Sequence, residues 1–315
     1  MSSSVEVLTA RDVPLGGPRS MTVRRTLPQR ARSLIGAWCF VDHYGPDDVS
    51  RTGGMDVAPH PHTGLQTVSW LFSGEIEHRD SLGSHAMVRP GELNLMTGGH
   101  GISHTEVSTP STTVLHGVQL WVALPDADRH ADRDFQHYAP DPVTVDGARV
   151  RVFLGELAGS VSPVRTFTPL LGAELVLDPR AHLTLAVDPA FEHGLLVDRG
   201  AVRLAGAPLA QAELGYAAPG RDTLTLTNET DTPARVILLG GPPFGEEIIM
   251  WWNFIGRTHE DIAQARSDWM TGIEADVDAG TGTGTRFGEV QGYDGDPLPA
   301  PELPSVPLKP RGRVR

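Results

Sequence analysis

Short apolar or alternating runs recur along most of the 315-residue chain, at 67–71, 92–96, 114–123, 150–154, 182–187, 194–198, 223–227 and 234–239. Each is bounded by Gly, Pro, Asp or Asn, residues that interrupt strands and set turns. Such runs at spacings of roughly eight to twelve residues predict a β-sandwich or barrel. One late segment reads differently. Thr258-His-Glu-Asp offers a capping residue with carboxylates behind it, and Ile262, Arg266 and Trp269 continue through a stretch without Gly or Pro. That pattern predicts a short C-terminal helix near 258–270.

The length suits two domains of about 150 residues each. The Pro- and Asp-rich stretch that opens at Ala139 is the expected boundary, dividing the chain into 1–138, 139–279 and a tail, 280–315. The halves echo each other: Gly74 and Gly200 each follow a predicted strand, and Pro90-Gly-Glu-Leu and Ala212-Glu-Leu-Gly lie at similar distances beyond them. A duplicated β unit is the expectation. The Gly-Thr repeats and the Pro-rich segment of the tail cannot build a core, and are expected to wrap over the surface or remain mobile.

Composition narrows the function. With 26 Lys and Arg against 39 Asp and Glu, the formal charge of −13 repels a polyanion, which argues against direct nucleic-acid binding. The basic cluster Lys309, Arg311, Arg313 and Arg315 is too short to form a binding domain. One cysteine, Cys39, excludes an intrachain disulfide and reads as a small core residue. No basic and apolar leader opens the sequence, and no window approaches the length of a membrane span. The expected compartment is the cytoplasm.

The strongest chemical signal is Pro59-His60-Pro61-His62, followed downstream by His104-Thr105-Glu106. In a strand, residues i and i+2 project from one face, so each pair presents two ligand atoms to the same side. Three imidazoles and a carboxylate suit a divalent first-row metal and leave coordination positions open. Gly54, His60, His62, Gln66 and Gly74 together approximate the first cupin motif, with Gln66 at its usual acidic position. Gly98-Gly-His-Gly lacks the helix start that a phosphate cradle needs. No elbow motif supports a Ser-His-Asp or Cys-His nucleophile.

Longer blocks carry a family resemblance. Phe40-Val-Asp-His-Tyr-Gly-Pro46, Pro59-His-Pro-His-Thr-Gly-Leu-Gln-Thr-Val68, Gly74-Glu-Ile-Glu-His-Arg-Asp-Ser-Leu-Gly83 and Pro90-Gly-Glu-Leu through His104-Thr-Glu106 are similar to the pirin family. So are Gly240-Gly-Pro-Pro-Phe-Gly-Glu-Glu-Ile248 and Trp252-Asn-Phe-Ile-Gly-Arg257. The resemblance implies an all-β bicupin with Fe(II) in the N-terminal barrel, held by His60, His62, His104 and Glu106. Zn, Mn, Ni or Cu also suit this ligand set. The second half has no histidine between Gly200 and Gly256, and His182 and His193 stand alone, so no second metal is expected there. His193 reads as a satisfied core or rim residue.

Two functions follow from the resemblance. One is a quercetin 2,3-dioxygenase-like enzyme taking a small aromatic substrate and dioxygen, with Glu106 as the catalytic base. The other is a non-enzymatic, iron-dependent regulator that binds a transcription factor or a metabolic enzyme. Asp42 and His43 are expected either to orient a ligand imidazole or to hold a loop closed. His78, His85 and His100 are expected at loops or the pocket rim.

Overall fold

The computed structural model describes residues 5–15, 21–279 and 286–312. All eight runs singled out above lie in strands: Leu65–Ser73, Leu93–Thr97, Val114–Ala123, Ala148–Leu154, His182–Ala186, Glu192–Arg199, Thr223–Asn228 and Ala234–Gly241. The sheets form two barrels, each built from a seven-stranded and a four-stranded antiparallel sheet.

In the first barrel, the large sheet runs Asp134–Tyr138, Leu93–Thr97, Leu65–Ser73, Val114–Ala123, Trp38–Asp48, Met21–Leu27 and Arg11–Leu15. In the second, it runs Glu6–Leu8, Leu214–Ala217, Glu192–Arg199, Ala234–Gly241, Leu171–Leu177, Ala148–Leu154 and Val143–Val145. Strand for strand, the two orders correspond. Gly74 and Gly200 occupy equivalent turns with φ of 87° and 89°, a left-handed conformation that glycine adopts without strain. One outermost strand crosses over: Glu6–Leu8, from the start of the chain, pairs with Leu214–Tyr216 and completes the second barrel's sheet.

The barrels press their large sheets together over a shared core that includes Trp38, Trp70, Phe153, Leu196, Ile237 and Leu239. This explains why Trp38–Asp48 is buried over eight consecutive residues. One face of that strand lines the first barrel and the other meets the second, so alternation of polar and apolar residues is lost. Polar groups at the seam are paired. Trp38 Nε1 donates to the Gly240 carbonyl at 3.1 Å, Trp70 Nε1 to Glu174 at 2.8 Å, and Gly36 N to Glu192 at 2.8 Å.

The helix α1 spans His259–Ala279, past the expected end at 270. Its start is a reciprocal cap: Thr258 Oγ1 accepts from the Asp261 amide at 3.1 Å, and Asp261 Oδ2 accepts from the Thr258 amide at 2.9 Å. Gly272 is tolerated within the helix because Ile262, Ala265, Trp269 and Ile273 continue one apolar stripe against Phe254 and Phe287. No helix among the described residues is long and apolar enough to cross a membrane.

The tail from Arg286 wraps over the first barrel. Phe287 is buried, and Arg311 exchanges backbone hydrogen bonds with Ile248 at 2.8 and 2.9 Å. The Gly-Thr repeats at 280–285 lie outside the described residues, as do Arg313 and Arg315.

Candidate metal centre

The four-stranded sheet of the first barrel runs Asp56–His62, Ile102–Ser108, Ile76–Asp80 and His85–Val88. In register, His104 lies opposite His60, and Ile102 opposite His62. The pairing then slips, so that Glu106 faces Val57 and the pair Ala58-Pro59 opposes Thr105 alone. Pro59, with no amide hydrogen to leave unpaired, suits such a bulge.

The result is convergence. One ring nitrogen from each of His60, His62 and His104 lies within 4.8 Å of the others, and all three side chains are buried. His60 Nδ1 lies 2.9 Å from the Ala58 carbonyl, to which it donates, leaving Nε2 as a bare lone pair. Burial pushes its pKa down to about 4. Burial likewise holds His62 and His104 well below the ordinary imidazole range, aided by the charge a neighbouring protonated imidazole would bring.

The residues fit a metal ion. His62 Nε2 and His104 Nε2 stand 3.0 Å apart, the spacing of adjacent donors around a metal with bonds of about 2.1 Å at right angles. His104 is oriented from behind. Asp80 Oδ2 lies 3.1 Å from His78 Nε2, and His78 Nδ1 lies 3.4 Å from His104 Nδ1. With Asp80 ionised, the proton sits on His78 Nε2, so His78 Nδ1 accepts from His104 Nδ1–H and frees His104 Nε2. This carboxylate–imidazole chain selects the metal-binding tautomer.

Glu106 stands apart from the three imidazoles. Its carboxylate lies outside the 4.8 Å set and accepts from Ser69 Oγ at 3.1 Å. Burial raises its pKa, against the opposing effects of the His78 charge and the Ser69 hydrogen bond. Ser69 Oγ also lies 2.9 Å from Gln119. One hydroxyl proton serves one acceptor at a time, so Glu106 and the Gln119 side-chain carbonyl oxygen share the Ser69 hydroxyl.

Glu106, His60 and His62 line a cavity of about 360 Å³. Phe40 and Trp121 form one wall, stacked with ring centroids 4.1 Å apart and planes 12° from parallel. Met250 and Trp252 add further apolar surface from the hairpin Ile249–Trp251 and Phe254–Gly256. Trp252 holds φ at 51°, a strained backbone for a bulky residue.

Asp42 and His43 take neither expected role. They sit mid-strand, so their side chains leave on opposite faces. Asp42 lines the cavity, where Arg25 grips it with two hydrogen bonds of 2.7 Å. His43 turns to the seam, where its Nε2 lies 2.8 Å from Asp198 Oδ1. The same oxygen takes His116 Nε2 at 2.5 Å, and Arg235 Nε donates to Asp198 Oδ2 at 2.6 Å. His43, His116 and Asp198 have ligand-like spacing, but Arg24 and Arg235 each place a guanidinium nitrogen 3.4 Å from an imidazole nitrogen of the cluster. Two cations against a bare dication make this a hydrogen-bonded lock between the barrels, unsuited to metal.

His85 and His100 are exposed, as expected, whereas His78 is buried mid-strand, contrary to expectation. Its i+2 relation to Asp80 was the signal in the sequence. Ser69 and Gln119 carry no comparable signal, because register pairs them with each other and only the packing of the barrel's two sheets brings them to Glu106. His193 is a core residue but not a satisfied one: it is fully buried and neither ring nitrogen has a partner.

In the second barrel's small sheet, the strands equivalent to the two that carry the clustered imidazoles are His182–Ala186 and Thr223–Asn228. They bury Leu183, Leu185, Leu224 and Leu226 in that barrel's core.

Comparison with known proteins agrees with this architecture. Residues 20–122 match the family model described as Pirin, and residues 172–274 match the Pirin C-terminal cupin domain. A Pseudomonas aeruginosa protein, provisionally named a quercetin 2,3-dioxygenase, is 45% identical over 94% of this chain and 90% of its own. A pirin-like protein of Caulobacter vibrioides is 36% identical over 84% of this chain and 93% of its own. The crystal structure of a quercetin 2,3-dioxygenase from Acinetobacter baumannii is 39% identical and superimposes with a TM-score of 0.87, covering 96% of each chain. Two cupin barrels in the same order, with the imidazole cluster in the first, make this chain a member of the pirin family.

Proposed function

We propose that this protein is a mononuclear metal-dependent dioxygenase acting on a flavonol such as quercetin, or on a related phenol or enol. The metal is held by His60, His62, His104 and Glu106, with Fe(II) as the working ion. The observation that carries this reading is the convergence of three buried imidazoles on the wall of a narrow aromatic cavity. The relatives named for quercetin 2,3-dioxygenase activity support the substrate class.

The bound metal would supply positive charge that acidifies a substrate hydroxyl and an open position for dioxygen. The chain supplies the rest. Phe40 and Trp121 give the cavity an aromatic wall that keeps water from a bound planar ring. Glu106, with its pKa raised and Ser69 fixing one carboxylate oxygen, takes the proton of the substrate hydroxyl. Asp80 and His78 hold His104 in its ligating tautomer.

The same reading assigns the chemistry to the first barrel, within 1–138, and leaves 139–279 as a supporting barrel without metal. Leucines at the second barrel's equivalent strands support this assignment.

The test is oxygen uptake by anaerobically Fe(II)-loaded protein given quercetin, beside a His62→Ala control. Uptake coupled to flavonol loss, absent in the control, is the expected result. No uptake by protein carrying one iron per chain overturns the reading.

A further inference from the structure

One residue lining the cavity carries a buried hydroxyl that the protein itself does not use. Tyr44, in the middle of Trp38–Asp48, is 1% exposed, and its Oη has no hydrogen-bond partner. Yet its side chain lines the same cavity as His60, His62 and Glu106. Three polar side chains of the cavity have partners: Arg25 holds Asp42, and Glu106 and Gln119 share the Ser69 hydroxyl. A buried hydroxyl without a partner carries an uncompensated desolvation cost, so native proteins rarely keep one without a reason.

The surroundings make room for that hydroxyl. Gly117 lies opposite Tyr44 in the adjacent strand, and a Cβ at 117 would stand 2.8 Å from the Oη. They also set its role. Burial, then the charges of Glu106 and Asp42, push the phenol pKa above its ordinary value. The group therefore keeps its proton at any working pH and offers a donor.

We propose that Tyr44 Oη–H is a substrate-positioning donor, which selects planar aromatic ligands carrying a carbonyl or ionised hydroxyl oxygen at the inner end of the cavity. The inference rests on the proposed function for its substrate class, and adds the residue that discriminates within it. Tyr44 acts alongside the metal ligands: the ring fills the barrel interior, and the hydroxyl holds the acceptor oxygen while Phe40 and Trp121 hold the ring plane.

The experiment compares wild type with Tyr44→Phe, which removes the hydroxyl and keeps the ring. Three readouts are taken without oxygen: metal content, melting temperature of the ligand-free protein, and calorimetric titration with quercetin and with 4-nitrocatechol. The expected result is equal metal content, an unchanged or higher melting temperature, and binding weakened by roughly tenfold, as for a lost hydrogen bond to a charged acceptor. Equal affinity of the two proteins for the probes overturns the proposal. A ligand-free melting temperature lower by several degrees also overturns it, because the hydroxyl then serves the fold. Failure of wild type to bind quercetin while it binds 4-nitrocatechol counts against the flavonol reading, and the catechol comparison then decides Tyr44. Binding of neither overturns both.

Discussion

Leu298 donates its backbone N–H to the carbonyl of Pro59 at 2.8 Å, so the last segment of the chain grips the bulge beside His60. Tyr293 Oη donates to Asp56 Oδ1 at 2.9 Å on the same strand, and Ile255 N donates to the Thr63 carbonyl at its far end. Asp56–His62 is an edge strand of its sheet. Its two histidines are thus held in place by segments nearly 200 or more residues away in sequence.

Replacing Leu298 with Pro removes that donor together with the leucine side chain packed against the first barrel's core. The expected outcome is a loss of about 1 kcal/mol in stability for the hydrogen bond and more for the lost packing. Metal affinity falls with it, measured by chelator competition. Unchanged affinity would mean that the strand keeps its bulge without the tail.

Asp80→Asn breaks the chain that orients His104. Metal affinity is expected to fall by roughly 10- to 100-fold, the range seen when such outer partners are lost. Asp80 Oδ1 also accepts from the amides of Leu82 and Ser84, contacts that Asn retains, so folding is preserved. Equal chelator resistance in the two proteins would refute the orienting role.

Glu106→Gln keeps the Ser69 contact and removes the basic oxygen. Turnover is expected to fall by about 10²–10⁴-fold, the usual contribution of a positioned base, while anaerobic quercetin affinity changes far less. Equal losses in turnover and affinity would sink the base role.

The lock at the seam is acid-sensitive. Burial lowers the His43 pKa, and although the Asp198 hydrogen bond opposes this, the Arg24 charge reinforces it. A folded pKa below the unfolded value near 6.5 means that acid favours the unfolded chain, with stability falling as pH drops below about 6.5. Burial alone would raise Asp198, but the His116 and His43 hydrogen bonds and Arg235 hold it well below the carboxylate range. Its contribution is present above about pH 3.9 and lost as pH falls further, toward its folded pKa. Urea midpoints of wild type are therefore expected to fall from pH 6.5 to 4.5, and His43→Gln to show a shallower slope. An identical slope would remove His43 from the effect. At pH 7, Asp198→Ala is expected to cost about 3 kcal/mol, because it leaves two buried imidazoles and the half-buried Arg235 without their acceptor.

Much of the candidate centre was legible in the sequence because strands impose a period of two. His60 with His62, and His104 with Glu106, must share faces wherever those segments are extended. The same rule explains what was misread. His78 and Asp80 obey it as plainly, but His78 sits among charged neighbours, Glu77 and Arg79, that resemble a turn. Those neighbours face outward between the buried residues of the strand. Asp42 and His43 are adjacent, and adjacency in a strand means opposite faces, one toward the cavity and one toward the second barrel.

The sequence by itself determined the strand periodicity, the duplicated unit, the late helix and the segments whose imidazoles cluster, since each depends on residues close along the chain. Tertiary structure alone decided the rest. Sheet order placed leucines in the second barrel where the first carries imidazoles, and the packing of sheet on sheet brought Ser69 and Gln119 to Glu106. The fold also carried Glu6–Leu8 into the second barrel and the tail onto Pro59. These contacts join residues tens to hundreds of positions apart, and no local propensity encodes them. They follow from which apolar faces the whole chain buries together and which polar groups that burial leaves in need of a partner.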